Sequence, residues 1–263
     1  MALTLVFADS AVSSKASSPG VLPAPIDVVE TSRTLETVLR PYYPFPEPPT
    51  FMSFDDAQPV LGAIHRLQLT RIAPIILGAA LPHIKANPLR AYAFALRHGL
   101  EDLARLAAHE YLAVEDPNIP ADSEELEDIT ARQYRRLVVY RQECSKVLQT
   151  FVKDVENNLN DELVSTWYPE EIVKTGLSCK ICISQRPKSH HIVILTRNWA
   201  FVRTRLLARP SADAVKDMQL VFQGLKGQSF CVECMDVVYH QLLRLRELLW
   251  KEIERRIAEV SRV

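Results

Sequence analysis

Two short turns carry the clearest chemistry in this sequence. GLSCKICISQ sets Cys179 and Cys182 with two residues between them, and SFCVECMD repeats the spacing at Cys231 and Cys234. A C-x-x-C turn lets two thiolates meet one tetrahedral ion, and four such sulfurs complete the coordination of zinc. The interval from Cys182 to Cys231 exceeds the roughly 15–20 residues of a compact zinc ribbon. The residues between read as two helices, however, and a helical hairpin would return the chain to its starting point. We therefore expect Cys179, Cys182, Cys231 and Cys234 to hold one structural Zn2+, with folding of the second half dependent on it. Four thiolates leave no open position for water, so such a site is structural, not catalytic.

The same residues admit two other readings. A redox pair needs a C-x-x-C that opens a helix beside a strand–helix–strand unit. CVEC precedes a helix, but no such unit surrounds it. Alternatively the four thiols are packed as small apolar side chains. His190 and His191 follow the first pair closely enough to replace a thiolate, and His240 stands further along the last helix. All three read more simply as surface or supporting histidines.

Other chemistries lack local support. The sequence holds neither a glycine-rich phosphate cradle nor a G-x-S-x-G elbow. His109-Glu110 opens like the zinc-protease motif H-E-x-x-H, but Ala113 stands where the second histidine belongs. No catalytic residue, organic cofactor or small-molecule substrate is expected, and the chain reads as non-enzymatic.

The formal net charge of −1 argues against a strongly basic nucleic-acid binder. Arg197, Arg203, Arg205 and Arg209 keep open a second reading, in which a regulator contacts phosphates near the zinc turns. No apolar run approaches the ~18 residues a spanning helix needs, and ALTLVFA has no basic residue before it. An intracellular protein, cytoplasmic or nuclear, is the expectation, with partners that are proteins and not membranes.

The elements that must position these residues read mainly as helices. Residues 1–20 show no period and are expected to be disordered. IDVVE, from Ile26 to Glu30, is short and β-branched enough for a strand. Ser32 stands where a cap belongs, before a helix with Leu35, Val38 and Leu39 on one side. That helix must stop at PYYPFPEPPT, because each proline ring fixes φ and removes a donor. Asp55 and Asp56 suit the start of a helix that turns Val60, Leu61 and Ile64 inward. LTRIAPIILGAALPHI is apolar nearly all round, which predicts deep burial between Pro74 and Pro82. Asn87-Pro88 starts another helix, and Gly99 divides it from the next as a left-handed residue.

EDPNIPADSEELED is acidic and proline-bearing, so residues 116–129 read as a linker. Thr130 and Gln133 form a capping box, with Ile129 and Tyr134 as its hydrophobic staple. The helix beyond carries a stripe of Tyr134, Leu137, Cys144, Leu148, Phe151 and Val155, interrupted only by Arg141. Cys144 thereby reads as core. TRNWAFVRTRLLA is helical, Ser211 caps a further helix, and a long final helix from about Met235 to Val260 turns Val238, Leu242, Leu245, Leu249, Ile253, Ile257 and Val260 to one side.

In its first half the wording is distinctive. IDVVETSRTLETVLRPYYPFPEPP, then SFDDAQPVLGAIHRLQLTRIAPIILGAALPHI, then NPLRAYAFALRHGLEDLARLAAHEYL resembles the later part of a BTB/POZ domain, of the type abundant in mushroom-forming fungi. The likeness covers roughly residues 22–115. It implies a fold for protein–protein association, in homodimers or on cullin-type ubiquitin-ligase scaffolds. The family's opening strands and helix have no counterpart here, where MALTLVFADSAVSSKASSPG stands in their place. Either a shortened product or a variant whose partner covers the core would account for that.

The expected architecture is mainly α. A partial BTB/POZ-like α/β and helical region spans residues 21–115. After the linker comes an all-helical, zinc-pinned domain over residues 130–263. The protein would act as an adaptor through exposed apolar surface and helix faces.

Overall fold

The computed structural model describes residues 28–43, 48–115, 124–158, 190–216 and 232–260, with backbone alone for 158, 190–198, 232–234, 237, 238 and 241. Among the described residues there is no β-strand, and the chain is mainly α. It divides into two packed units, Met1–Ala80 and Leu81–Val263.

In the first unit, α1 (Ser32–Leu39) is capped by Thr31, one residue before the expected Ser32. The Thr34 amide donates to Thr31 Oγ1 at 3.3 Å, relieving one of the free donors of the first turn. Leu35 and Val38 are buried. The expected strand fails over its described part, Val28–Glu30, which joins no ladder. A strand is defined by its neighbour, and here Glu30 instead sends its carboxylate to Arg66 at 2.8 Å. After α1 the chain tightens into a 3-10 turn, Arg40–Tyr42, as the proline at position 41 dictates.

Helix α2 (Phe54–Arg66) packs on α1. Its cap is Ser53, whose hydroxyl accepts from the Asp56 amide at 3.3 Å, while Asp55 and Asp56 lie in the first turn against the positive helix end. Val60, Leu61 and Ile64 are buried as the periodicity requires. Helix α3 (Ala73–Ala86) departs from expectation. Only Ile76, Ala80 and Ile84 are fully buried, a single i, i+4, i+8 stripe, whereas Ile75 is 47 % exposed and Leu77 and Leu81 are half-buried. Pro74 stands near its start and Pro82, inside the helix, four residues before its end. Apolar composition measures what a helix tolerates, not what neighbours the fold supplies.

The second unit continues with α4 (Pro88–Arg97) and α5 (Glu101–Tyr111), which pack as a hairpin. Gly99 sits between them at φ +67°, and the Leu100 amide reaches back to the Ala95 carbonyl at 2.8 Å. This is the left-handed close that only glycine makes without strain. Residues 116–123, most of the expected linker, lie outside the described residues, as does the N-terminal stretch 1–20.

Helix α6 (Ala131–Asn158) starts at the predicted capping box. The Gln133 amide donates to Thr130 Oγ1 at 3.2 Å and the Thr130 amide to Gln133 Oε1 at 2.8 Å. Next come α7 (His190–Ala208), a short α8 (Asp213–Lys216) and α9 (Val232–Val260). Helix α6 is the centre of this unit and packs against α5, α7 and α9. Leu148, Phe151 and Val155 of α6 meet Val202 and Leu206 of α7, and Leu249, Ile253 and Ile257 of α9, in one core. Each such side chain contributes about 1.5–3 kcal/mol on leaving water. Phe151 stands at its middle, with the Trp199 ring edge-on at 6.0 Å and the Arg256 guanidinium 4.6 Å above its own ring.

Candidate functional site

The predicted metal centre falls largely beyond description. Cys179, Cys182 and Cys231 lie outside the described residues, and of Cys234 only the backbone is given, in the first turn of α9. His190 and His191 begin α7, again with backbone alone. His240 is exposed on α9, 3.6 Å from Asp236. Cys144 is 0 % exposed within the core. Burial pushes its thiol up to about 11, which makes it an inert apolar residue at neutral pH.

Two charged constellations in the second unit escaped the sequence. The first gathers at the C-terminal end of α5. Arg141, the exception on the α6 stripe, donates to the carbonyls of Tyr111 at 2.8 Å and Leu112 at 3.3 Å through Nη1. Through Nη2 it reaches the carbonyls of Val114 at 2.7 Å and Ala208 at 3.3 Å. Helices α5 and α7 thus present their carbonyl ends to one guanidinium, where a cation meets the negative pole of each dipole. Burial pulls the Arg141 pKa below its ordinary value, yet guanidinium stays charged at any physiological pH.

The second lies beside it, in the last turn of α5. Lys85 of α3 bridges Glu110 at 3.4 Å and Asp213 of α8 at 3.2 Å. Glu110 is only 9 % exposed, so its ammonium partner is what makes its burial tolerable. Burial works against the Lys85 charge, but Asp213 and Glu110 outweigh it and hold its pKa above the ordinary lysine value. Beside this bridge His109 Nε2 lies 3.1 Å from Glu254 Oε2 of α9. The hydrogen bond to Glu254 raises the imidazole pKa above its usual value despite partial burial, and Glu110 and Asp213 add to the effect. The His109-Glu110 pair that begins like a protease motif serves here in interhelical charge pairing.

Among the described residues no cluster of three or more His, Cys, Asp or Glu side chains is arranged to hold a metal ion. Nor is any described helix long and apolar enough to cross a membrane. Three of the four arginines considered for phosphate contact have protein partners. Arg203 pairs with Glu156 at 3.0 Å, Arg209 pairs with Glu115, and Arg205 covers the Phe201 ring at 4.7 Å. Arg197 lies in the backbone-only part of α7. No family model matches the chain, and no curated protein and no solved structure matches it either.

Proposed function

We propose that the chain is a non-enzymatic protein-association module. The observation that carries this reading is the set of exposed apolar side chains in the first unit. Five of the eight large apolar side chains exposed among the described residues belong to it: Val29, Tyr42, Tyr43, Met52 and Ile75. Tyrosine and methionine are the residue types that protein interfaces favour, because they bury much area at little entropic cost. Ile75 lies on a helix whose composition suits burial far better than its surroundings do, the mark of a face meant for another protein. The resemblance of residues 22–115 to the BTB/POZ family favours a second copy or a cullin-type scaffold as the occupant. In the second unit, a zinc ion held by the four thiolates of Cys179, Cys182, Cys231 and Cys234 would join the sequence ahead of α7 to the start of α9. The redox alternative is the weaker one, since the sequence around CVEC does not read as a strand–helix–strand unit.

Sedimentation of the full chain over a wide concentration range tests the association. Concentration-dependent assembly that disappears in Ile75→Glu, with helicity unchanged, is the expected result. A monomer at every concentration, with partner capture equal in Ile75→Glu and wild type, would remove the proposal. Metal analysis of reduced protein beside the Cys179→Ser variant tests the zinc, with one equivalent expected in the first and none in the second.

A further inference from the structure

We propose that His109 and Glu254 form a proton-operated clasp between α5 and the final helix, tight when the imidazole is charged and slack when it is neutral. Geometry supplies the first argument. The two side chains come from positions 109 and 254, meet at 3.1 Å, and are each about one-third exposed, so water reaches the pair without displacing it.

The charges around it supply the second. On α5 itself Glu110 is adjacent, and α8 contributes Asp213. Helix α3 brings Lys85, which is committed to both of those carboxylates. From α6, Arg141 reaches the end of α5 at the Tyr111 and Leu112 carbonyls and not at the acids. On α9, Arg255 is held by Glu252 and Glu259 and Arg256 by Glu252, which leaves Glu254 to His109. Lys216 of α8 adds a second ammonium, 3.8 Å from Asp213, so three carboxylates face two ammoniums. A proton on His109 offsets the one remaining negative charge.

The helix supplies the third. His109 lies in the last turn of α5, where the partial negative charge of the carbonyl end favours a cation. All three influences act in one direction, and they agree with the raised pKa of this histidine.

The sign follows from linkage. Folding raises the pKa above the ~6.5 of a free imidazole. The clasp's stabilisation is therefore complete below that value and is lost as pH climbs through the higher folded-state pKa. Raising the pH through that folded-state pKa loosens the attachment of α9, and mild acid secures it.

The test uses the full chain, with His109→Gln and Glu254→Gln. Glutamine at 109 still bonds the carboxylate but carries no titrating charge. Urea unfolding and amide exchange of α9 are followed from about pH 5.5 to pH 8.5. The wild-type unfolding constant should rise about two- to fivefold more across that range than in either variant. Exchange in the α9 segment around Glu254 should quicken in parallel, with α2 unaffected. The imidazole of His109, followed by NMR in the wild type, should titrate above free histidine. The proposal is overturned if both variants keep the wild-type pH slope, or if they lose α9 protection equally at every pH. Titration of His109 below the free value overturns it even where a variant does not fold.

Discussion

Replacing Arg141 by methionine removes five donors from the junction of α5, α6 and α7 while keeping most of the aliphatic stem. Two of its bonds are close, 2.8 Å to the Tyr111 carbonyl and 2.7 Å to the Val114 carbonyl, and two are long, 3.3 Å to Leu112 and Ala208. Hydrogen bonds from a charged donor contribute about 1.5–3 kcal/mol each. The site is only half-buried, so the lower figure applies to the close pair and little is assigned to the long ones. The expected loss is about 3 kcal/mol. Some of the missing bonding is regained from water at the Ala208 side, which is exposed. Lysine at 141 carries the same charge but cannot span carbonyls on two helix ends at once, and should recover no more than about half. Urea unfolding monitored by helical dichroism measures both variants against wild type. Because guanidinium does not titrate in this range, the loss in Arg141→Met should be independent of pH between 6 and 8. A change below about 1 kcal/mol, within reach of an ordinary surface substitution, would refute the idea that these helix ends depend on Arg141.

Gly99→Ala should cost about 1–2 kcal/mol through backbone strain alone, since φ is +67° and an added Cβ would meet nothing within 4 Å. Gly78→Ala, equally uncrowded but inside α3, should instead gain about 0.5–1 kcal/mol; equal signs for the two glycines would contradict the assigned backbone. Cys144 should resist a thiol reagent at pH 7.5 until the chain is unfolded, because its thiol is both buried and pushed up to about 11; labelling at the rate of a free cysteine would deny it a place in the core.

What the sequence disclosed was local. Thr130 and Gln133 are three residues apart, Gly99 acts on its own turn, and the α6 and α9 stripes repeat with the helical period, so pattern alone places them. Arg141 looked like an error on its stripe because its carbonyl partners lie far off along the chain, beyond any periodicity. His109-Glu110 was measured against a motif that needs a ligand one turn later, while its actual partner is Glu254. The apolar wording of α3 predicted burial that its environment does not provide, and IDVVE had strand composition without a strand to pair with over Val28–Glu30. The cysteine pairs are as legible now as at first, since their side chains lie outside the described residues.

The central place of α6 also shapes the chain's birth. Leu148, Phe151 and Val155 emerge from the ribosome well before their partners at Leu249, Ile253 and Ile257. At ordinary elongation rates the nascent helix waits roughly 5–20 seconds with its greasy flank uncovered. That interval, more than any weakness of the finished molecule, is when holding chaperones would matter and when clumping would begin.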